Sequence, residues 1–391
     1  MSRPLPLYHE ILAQITTHTP LAPSARVRLA LLVTGIIAAQ TTVLAQIARE
    51  LHALRLTRAR VWEHVARGLR RTLRDPALTP ACYLPAVRAA LPHPGGLRPL
   101  LVAVDESTHT DRVHLLRVAV PYRGNAVPLA WAVWEQNTPL VAGEYGQHLD
   151  AVFAQATEAL PAAAPVCVVA DRAYATPAFL DRCTAHGWRY AVRVPQGSHR
   201  WRDGHGREAG WRAYVGRRVP GPGHRWKGRG WLFKGAGWRK VAVVATWERD
   251  HAEPLVVVTN AGARWQVLAW YARRYWIEAG FRSDKSQGWQ WEASGVQGVA
   301  HHAVLLVAMA WATLFALCLG VAAARHTLRR MAARLPPPRP QPARESVFTQ
   351  GLRVVRAWLY GTRPRSFAVH LPHLSAPCWR DQWLTAQTVR P

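Results

Sequence analysis

Three acids stand where their surroundings could turn a carboxylate to chemistry: Asp105 in VDEST, Asp171 in ADRAY, and Glu278 within YARRYWIEAGFRSDK, Tyr271 to Lys285. In the last stretch Tyr271, Arg274, Glu278 and Lys285 are spaced i, i+3, i+7 and i+14. At about 100° per residue these offsets fall within roughly 60° of one another, on one stripe of a helix. A carboxylate flanked by a guanidinium, an ammonium and a phenol suits a site that holds both a divalent cation and the phosphates it works on. The plainer alternative is a solvated helix face with an Arg274 to Glu278 pair at i, i+4. The stripe therefore needs partners elsewhere in the chain.

The elements that would supply them are legible upstream. Leu100 to Val104 is an apolar run ending in Asp105, and Val113 to Val120 and Ala126 to Val133 follow as second and third strands, with Arg123-Gly124-Asn125 as the turn. A helix is expected from about Gly143 to Leu160, then a buried strand, Pro165 to Ala170, ending in Asp171. A short helix over Pro177 to His186 and a fifth strand over Trp188 to Val194 complete the pattern. Side chains at the ends of neighbouring strands converge on one crevice of an open sheet, so Asp105 and Asp171 are expected to meet, with Glu278 brought to them by its helix.

The bulk composition narrows the substrate. Fifty basic residues against 23 acidic ones leave a net charge of +27, a field that favours a polyanion, nucleic acid first, over a small neutral substrate. Only four of the basic residues are lysines (Lys227, Lys234, Lys240 and Lys285), and arginine is the side chain that forks onto phosphate oxygens. The five scattered cysteines show neither a CxxC nor zinc spacing and are expected to be reduced. No GxxxxGKS is present, so no ATP-driven step is indicated. Met1 to Pro20 lacks a signal-peptide pattern, and a cytoplasmic, nucleoid-associated location is expected.

Along the chain, residues 1 to 95 read as helical, with apolar periodicity over Val27 to Ala39 and Val43 to Leu54. Gln40, Thr41 and Thr42 between them suggest a helix-turn-helix pair with a hydroxyl cap. Twelve arginines against four acids, with Arg55, Arg58, Arg60, Arg67, Arg70, Arg71 and Arg74 close together, make this a candidate DNA-binding domain or a helical bundle with a solvated basic face. Pro92, Pro94, Gly95 and Gly96 mark a boundary. Residues 196 to 254 read as a basic, β-rich insertion. From 196 to 250 it has thirteen Arg and Lys against four acids, and six tryptophans (Trp201, Trp211, Trp226, Trp231, Trp238, Trp247) suited either to stacking on bases or to forming its own core. Ala303 to Ala324 carries no charge over 22 residues, enough to span a bilayer, though a helix buried on a central sheet is equally apolar. A basic tail from 326 to 391 follows, with a proline linker from Pro336 to Pro342.

An acid after a first strand, an acid after a fourth, an insertion, and then Y-x2-R-x3-E-x6-K on a helix together resemble the bacterial insertion-sequence DDE transposases that carry a Y-R-E-K signature. VDEST, YRGNAVPLAW (Tyr122 to Trp131) and ADRAY are similar to that group as well. The likeness covers roughly residues 97 to 320. It implies an α/β, RNase H-like catalytic domain over 96–195 and 255–325: a mixed five-stranded sheet with flanking helices, interrupted by the β-rich insertion and preceded by an all-helical N-terminal domain. It implies that the apolar helix packs on the core, with no membrane. It further implies a metal-dependent DNA endonuclease and strand transferase, in which Asp105, Asp171 and Glu278 are the catalytic acids and hold two Mg²⁺, Mn²⁺ being an acceptable substitute. Tyr271, Arg274 and Lys285 would bind DNA, and the partners would be double-stranded DNA, both element ends and target, with a homodimer on DNA. An RNase H-like nuclease and an inactive DNA-binding protein on the same fold are the alternatives. Relatives often have Asp-Thr where this chain has Glu106-Ser107, which leaves open whether Glu106 assists the metal site.

Overall fold

The computed structural model describes residues 6–91, 99–110, 112–161, 164–197, 199–332 and 346–359. The boundary at Pro92 to Gly96, the proline linker, Cys378 and most of the basic tail lie outside the described residues. Five helices come first: α1 (Pro6–His18), α2 (Pro23–Ala39), α3 (Leu44–Ala53), α4 (Trp62–Thr72) and α5 (Leu84–Ala90). Helix α2 carries no charge from Leu29 to Ala39, and Leu29, Leu32, Val33, Ile36 and Ile37 are all buried. It meets α3 at a 94° bend, in the range of a helix-turn-helix. Gln40 makes the corner by taking a left-handed backbone. The expected hydroxyl cap on α3 is not there: Val43 holds the cap position, and Thr41 Oγ1 accepts the Val43 N–H at 3.2 Å instead. Gly35 lets Ile47 approach where a Cβ would collide. The cluster of arginines from Arg55 to Arg74 is exposed.

The strand pattern follows. β1 (Leu100–His109), β2 (Val113–Tyr122) and β3 (Asn125–Glu135) are joined by α6 (Glu144–Ala159) to β4 (Val166–Ala170), and by α7 (Pro177–Ala185) to β5 (Arg189–Arg193). The insertion supplies β6 (Arg200–Arg202), β7 (Glu208–Gly210), α8 (Trp211–Arg218), β8 (Arg225–Leu232) and β9 (Arg239–Thr246), after which come β10 (Leu255–Thr259), α9 (Gln266–Ala272), α10 (Tyr275–Arg282), α11 (Val299–Ala332) and α12 (Val347–Leu359).

The chain divides into two units, with boundaries between Asp105 and Glu106 and between Ile277 and Glu278. The first unit gathers α1 to α5, Glu106 to His109, β2, β3, α6 and everything described from Glu278 on. Its β2 and β3 pair antiparallel with Tyr122 opposite Asn125, so Arg123 and Gly124 form a two-residue turn, both at positive φ. The apolar stretch near Ala303 is part of α11, whose most apolar 18-residue window is wholly buried. It packs on α2, β3 and α12 within this unit, and Gly320 and Gly351 allow α11 and α12 to touch backbone to backbone. The helix long enough to cross a membrane is a core helix here.

The second unit holds Leu100 to Asp105 of β1 with β4 and β5, all parallel, and then β10, β9, β8, β6 and β7 in that order, antiparallel to one another. The order 3-2-1-4-5 with strands 1, 4 and 5 parallel is the RNase H-like arrangement. The sheet does not stop at five strands, however. β10 pairs with β5 through Val257↔Arg193 to Thr259↔Ala191, so the insertion lengthens the sheet rather than sitting apart from it. β1 likewise does not end at Asp105: β4 pairing stops at Val104, but the strand runs on to His109 beside β2.

Candidate active site

In the second unit the last register pair between β1 and β4 is Val104↔Ala170. Asp105 and Asp171 are the next residue on each strand. Parallel strands lie about 4.8 Å apart, so the two aspartates follow the last paired residues on neighbouring strands. Asp171 turns into a short 3₁₀ turn, Arg172–Tyr174, and its side chain accepts the Arg172 N–H. Arg274 Nη1 lies 3.2 Å from Asp105 Oδ2, both side chains being mostly shielded from solvent. The same guanidinium sits 5.9 Å from the centre of the Tyr271 ring. Burial raises the Tyr271 phenol pKa, the nearby Arg274 and Arg193 guanidiniums draw it down, and the Asp171 carboxylate pushes it up. Asp105, Asp171, Tyr271 and Arg274 therefore form one charged cluster.

The signature stretch is not one continuous helix. α9 ends at Ala272, Arg273 and Arg274 form a turn, α10 begins at Tyr275, and Ser283–Gln287 is a π-helical turn. A π turn carries more residues per revolution than an α turn, so Lys285 is shifted from the stripe that a straight helix would give it. Physical causes are visible in the first unit, where this part of the signature is pinned. Asp284 turns inward to the Arg117 guanidinium, with both side chains almost wholly buried, and Arg117 also stacks over Phe281 at 5.0 Å. Asn125 Nδ2 donates to Ser283 Oγ at 2.9 Å, and Ser283 Oγ donates to the Ala279 carbonyl at 3.0 Å. Gly280 lies against Ala126 and Asn125, leaving little space for a Cβ. Lys285 Nζ stands 3.5 Å from Glu292 Oε1, and Glu278 is partly exposed on α10. The RGN turn thus works as the clamp on the helix that carries Glu278, a role that spacing alone does not reveal.

Glu106 has a different task from its neighbour. Successive strand residues face opposite sides of a sheet, and Glu106 accepts the Tyr145 hydroxyl and meets His114 Nε2 at 2.5 Å. That hydrogen bond raises the His114 pKa against the opposing effect of burial. His114 and His148 sandwich the Trp134 indole at 4.4 and 4.7 Å. Glu106 therefore ties β1 to β2 and α6.

Carboxylate oxygens are the donors that hard divalent cations take, and Asp105 and Asp171, on neighbouring strands just past the β1–β4 pairing, supply donors of that kind. Among the described residues, no group of three His, Cys, Asp or Glu side chains is drawn together tightly enough to hold an ion. The described cysteines, Cys82, Cys167, Cys183 and Cys318, are buried thiols away from any such role.

Comparison with known proteins gives three results. Residues 147–315 match the family model of the transposase DDE domain, a span that includes Asp171 and the whole signature stretch. Nothing among the curated protein sequences matches. Among solved structures the chain is similar to a piggyBac transposase synaptic complex with hairpin DNA, with 9% identity, a TM-score of 0.42, and coverage of 100% of this chain and 85% of that one. Over residues 147–315 the chain is thus similar to the DDE domain of transposases.

Proposed function

We propose that the protein is the transposase of an insertion sequence, which binds the terminal inverted repeats of its element, cuts at their ends and joins the released 3′-hydroxyl to target DNA. The observation that supports this most is the pair Asp105 and Asp171 beside each other at the end of the β1–β4 pairing. Phosphodiester cleavage needs a hydroxyl nucleophile, neutralisation of charge growing on the phosphorus oxygens, and help for the leaving oxygen. Two Mg²⁺ ions, held by Asp105, Asp171 and Glu278, would supply that Lewis-acid chemistry. Arg274 and Lys285 hold phosphates near the cut, and Tyr271 positions the terminal strand. The exposed arginines past the α2–α3 corner neutralise the backbone of the repeat. The protein acts as a homodimer on DNA in the bacterial cytoplasm.

A cleavage assay tests this, using DNA that carries the gene with its native flanks, with Mg²⁺ or with EDTA, and wild type beside Asp171→Asn and Glu278→Ala. Metal-dependent cuts at a pair of inverted repeats, lost in both variants with end binding retained, are expected. The alternative is a DNA-binding protein without catalysis on the same fold. It predicts binding with no cut under any metal.

A further inference from the structure

The segment R-W-K-G-R-G-W-L, Arg225 to Leu232, forms β8 and alternates strictly between two kinds of side chain. One face is a tryptophan core. Trp201 and Trp211 are fully buried, Trp226 lies 6.0 Å from Trp201 and 5.5 Å from Tyr214, and a Cβ on Gly228 or Gly230 would run into the Trp226 or Trp201 indole. The glycines are there because the indoles need the room. The other face puts Arg225, Lys227 and Arg229 in an exposed row. Strand geometry sets them about 6.8 Å apart.

The indoles on this second face are used differently. Trp231 carries the Arg202 guanidinium at 4.9 Å, Trp238 carries Arg202 at 4.8 Å and Lys234 at 6.0 Å, and Lys227 Nζ sits 5.5 Å from the ring of the exposed Trp265. Cations resting on indole faces are held in place, and those faces are then occupied rather than offered to bases. Lys240, opposite Trp231 on β9, adds a further exposed charge. Glu248 lies 3.6 Å from Arg225 at the end of the row.

We propose that this face of β8 is a track for the phosphate backbone of duplex DNA, gripping it without regard to sequence. Each strand of a duplex offers a phosphate per about 3.4 Å of axis, and because each is also turned about the axis, successive phosphates stand roughly twice as far apart through space, close to the spacing of the row. Contacts of this kind fix position and carry no base readout. The insertion tryptophans serve the track as a core (Trp201, Trp211, Trp226) and as cation platforms (Trp231, Trp238), not as base-stacking surfaces. This inference rests on the DNA-acting function proposed above but concerns binding alone.

The test measures affinity for a 30-base-pair duplex of arbitrary sequence in EDTA over a range of salt, by fluorescence anisotropy, with the full-length protein. The variant Arg225→Gln/Lys227→Gln/Arg229→Gln is compared with Arg212→Gln/Arg217→Gln/Arg218→Gln, which removes the same charge from exposed positions of α8. The track variant is expected to lose about 2 to 3 from the slope of log affinity against log salt and tenfold or more in affinity, and the α8 variant less than 1 in slope. Equal effects in the two variants, or none in the first, would overturn the track. So would tighter binding to RNA of the same length, and wild type that binds no duplex would sink both the track and the DNA-acting function. Intact cleavage by wild type with an unchanged slope in the track variant would remove the track alone.

Discussion

Arg274 reaches Asp105: its Nη1 lies 3.2 Å from Oδ2, inside a cluster that also holds Tyr271 and Asp171. The guanidinium neutralises a carboxylate oxygen that a divalent cation would also use, and it is the group expected to take a DNA phosphate. On the function proposed above, cation and arginine would compete for Asp105, and a phosphate that draws Arg274 away would favour the cation.

Replacing Arg274 with Gln should accordingly tighten Mn²⁺ binding several-fold, as read by the free-ion signal in electron paramagnetic resonance. The same variant should bind element ends about tenfold more weakly, one charge-assisted phosphate contact being worth roughly 1.5 kcal/mol or more. Equal Mn²⁺ affinity in wild type and variant would mean that the guanidinium does not compete.

The buried Arg117–Asp284 pair holds the π turn that carries Lys285. Burial raises the Asp284 pKa while Arg117 lowers it, so removing the arginine leaves an uncompensated carboxyl in the core. Arg117→Met should cost about 3–5 kcal/mol in urea denaturation, and Arg117→Met/Asp284→Leu should recover most of that. A single variant as stable as wild type would contradict the buried pairing.

His302 is fully buried, accepts the Trp291 indole N–H on Nδ1 at 3.0 Å, and faces the Val296 carbonyl with Nε2 at 3.0 Å. Nε2 thus carries the single proton of a neutral ring. Burial first, and His109 second, depress its pKa from 6.5 to about 4. The unfolded chain takes up a proton that the folded one resists, so this contribution to stability is complete above pH 6.5 and is lost as pH falls towards 4. Urea midpoints measured across that window should decline, and the decline should be shallower in His302→Gln. An equal decline in the variant would assign it to other groups.

Much of the catalytic framework was legible in the sequence because it rests on local signals. Apolar runs, the Arg123-Gly124 turn and the helical stretch over 143–160 place β2 to β5, α6 and α7 within a few residues of where they stand, and β1 up to Val104, five residues short of its end. The acids follow from those runs, since the residue after a buried strand is the first that can carry a charge. Ala303 to Ala324 shows the limit of the local signal: composition alone fits a membrane span or a core helix, and only its burial against α2, β3 and α12 decides between them.

What the sequence by itself determined was the strands and helices from β1 to β5, their order and the charge that suits a polyanion. Each of these depends on propensity, periodicity or a sum over residues. The tertiary structure decided how they are used. The insertion joins the sheet through β10 because edge strands pair with whatever backbone reaches them. The signature stretch breaks at Arg273 and Arg274 and takes a π turn at Ser283–Gln287, where Asp284 meets Arg117 across 167 residues. Glu106 bonds to His114 and Tyr145 rather than sharing the task of Asp105. Of the insertion tryptophans, Trp201 and Trp211 are buried while Trp231 and Trp238 carry Arg202, and no local pattern encodes a partner that distant packing supplies.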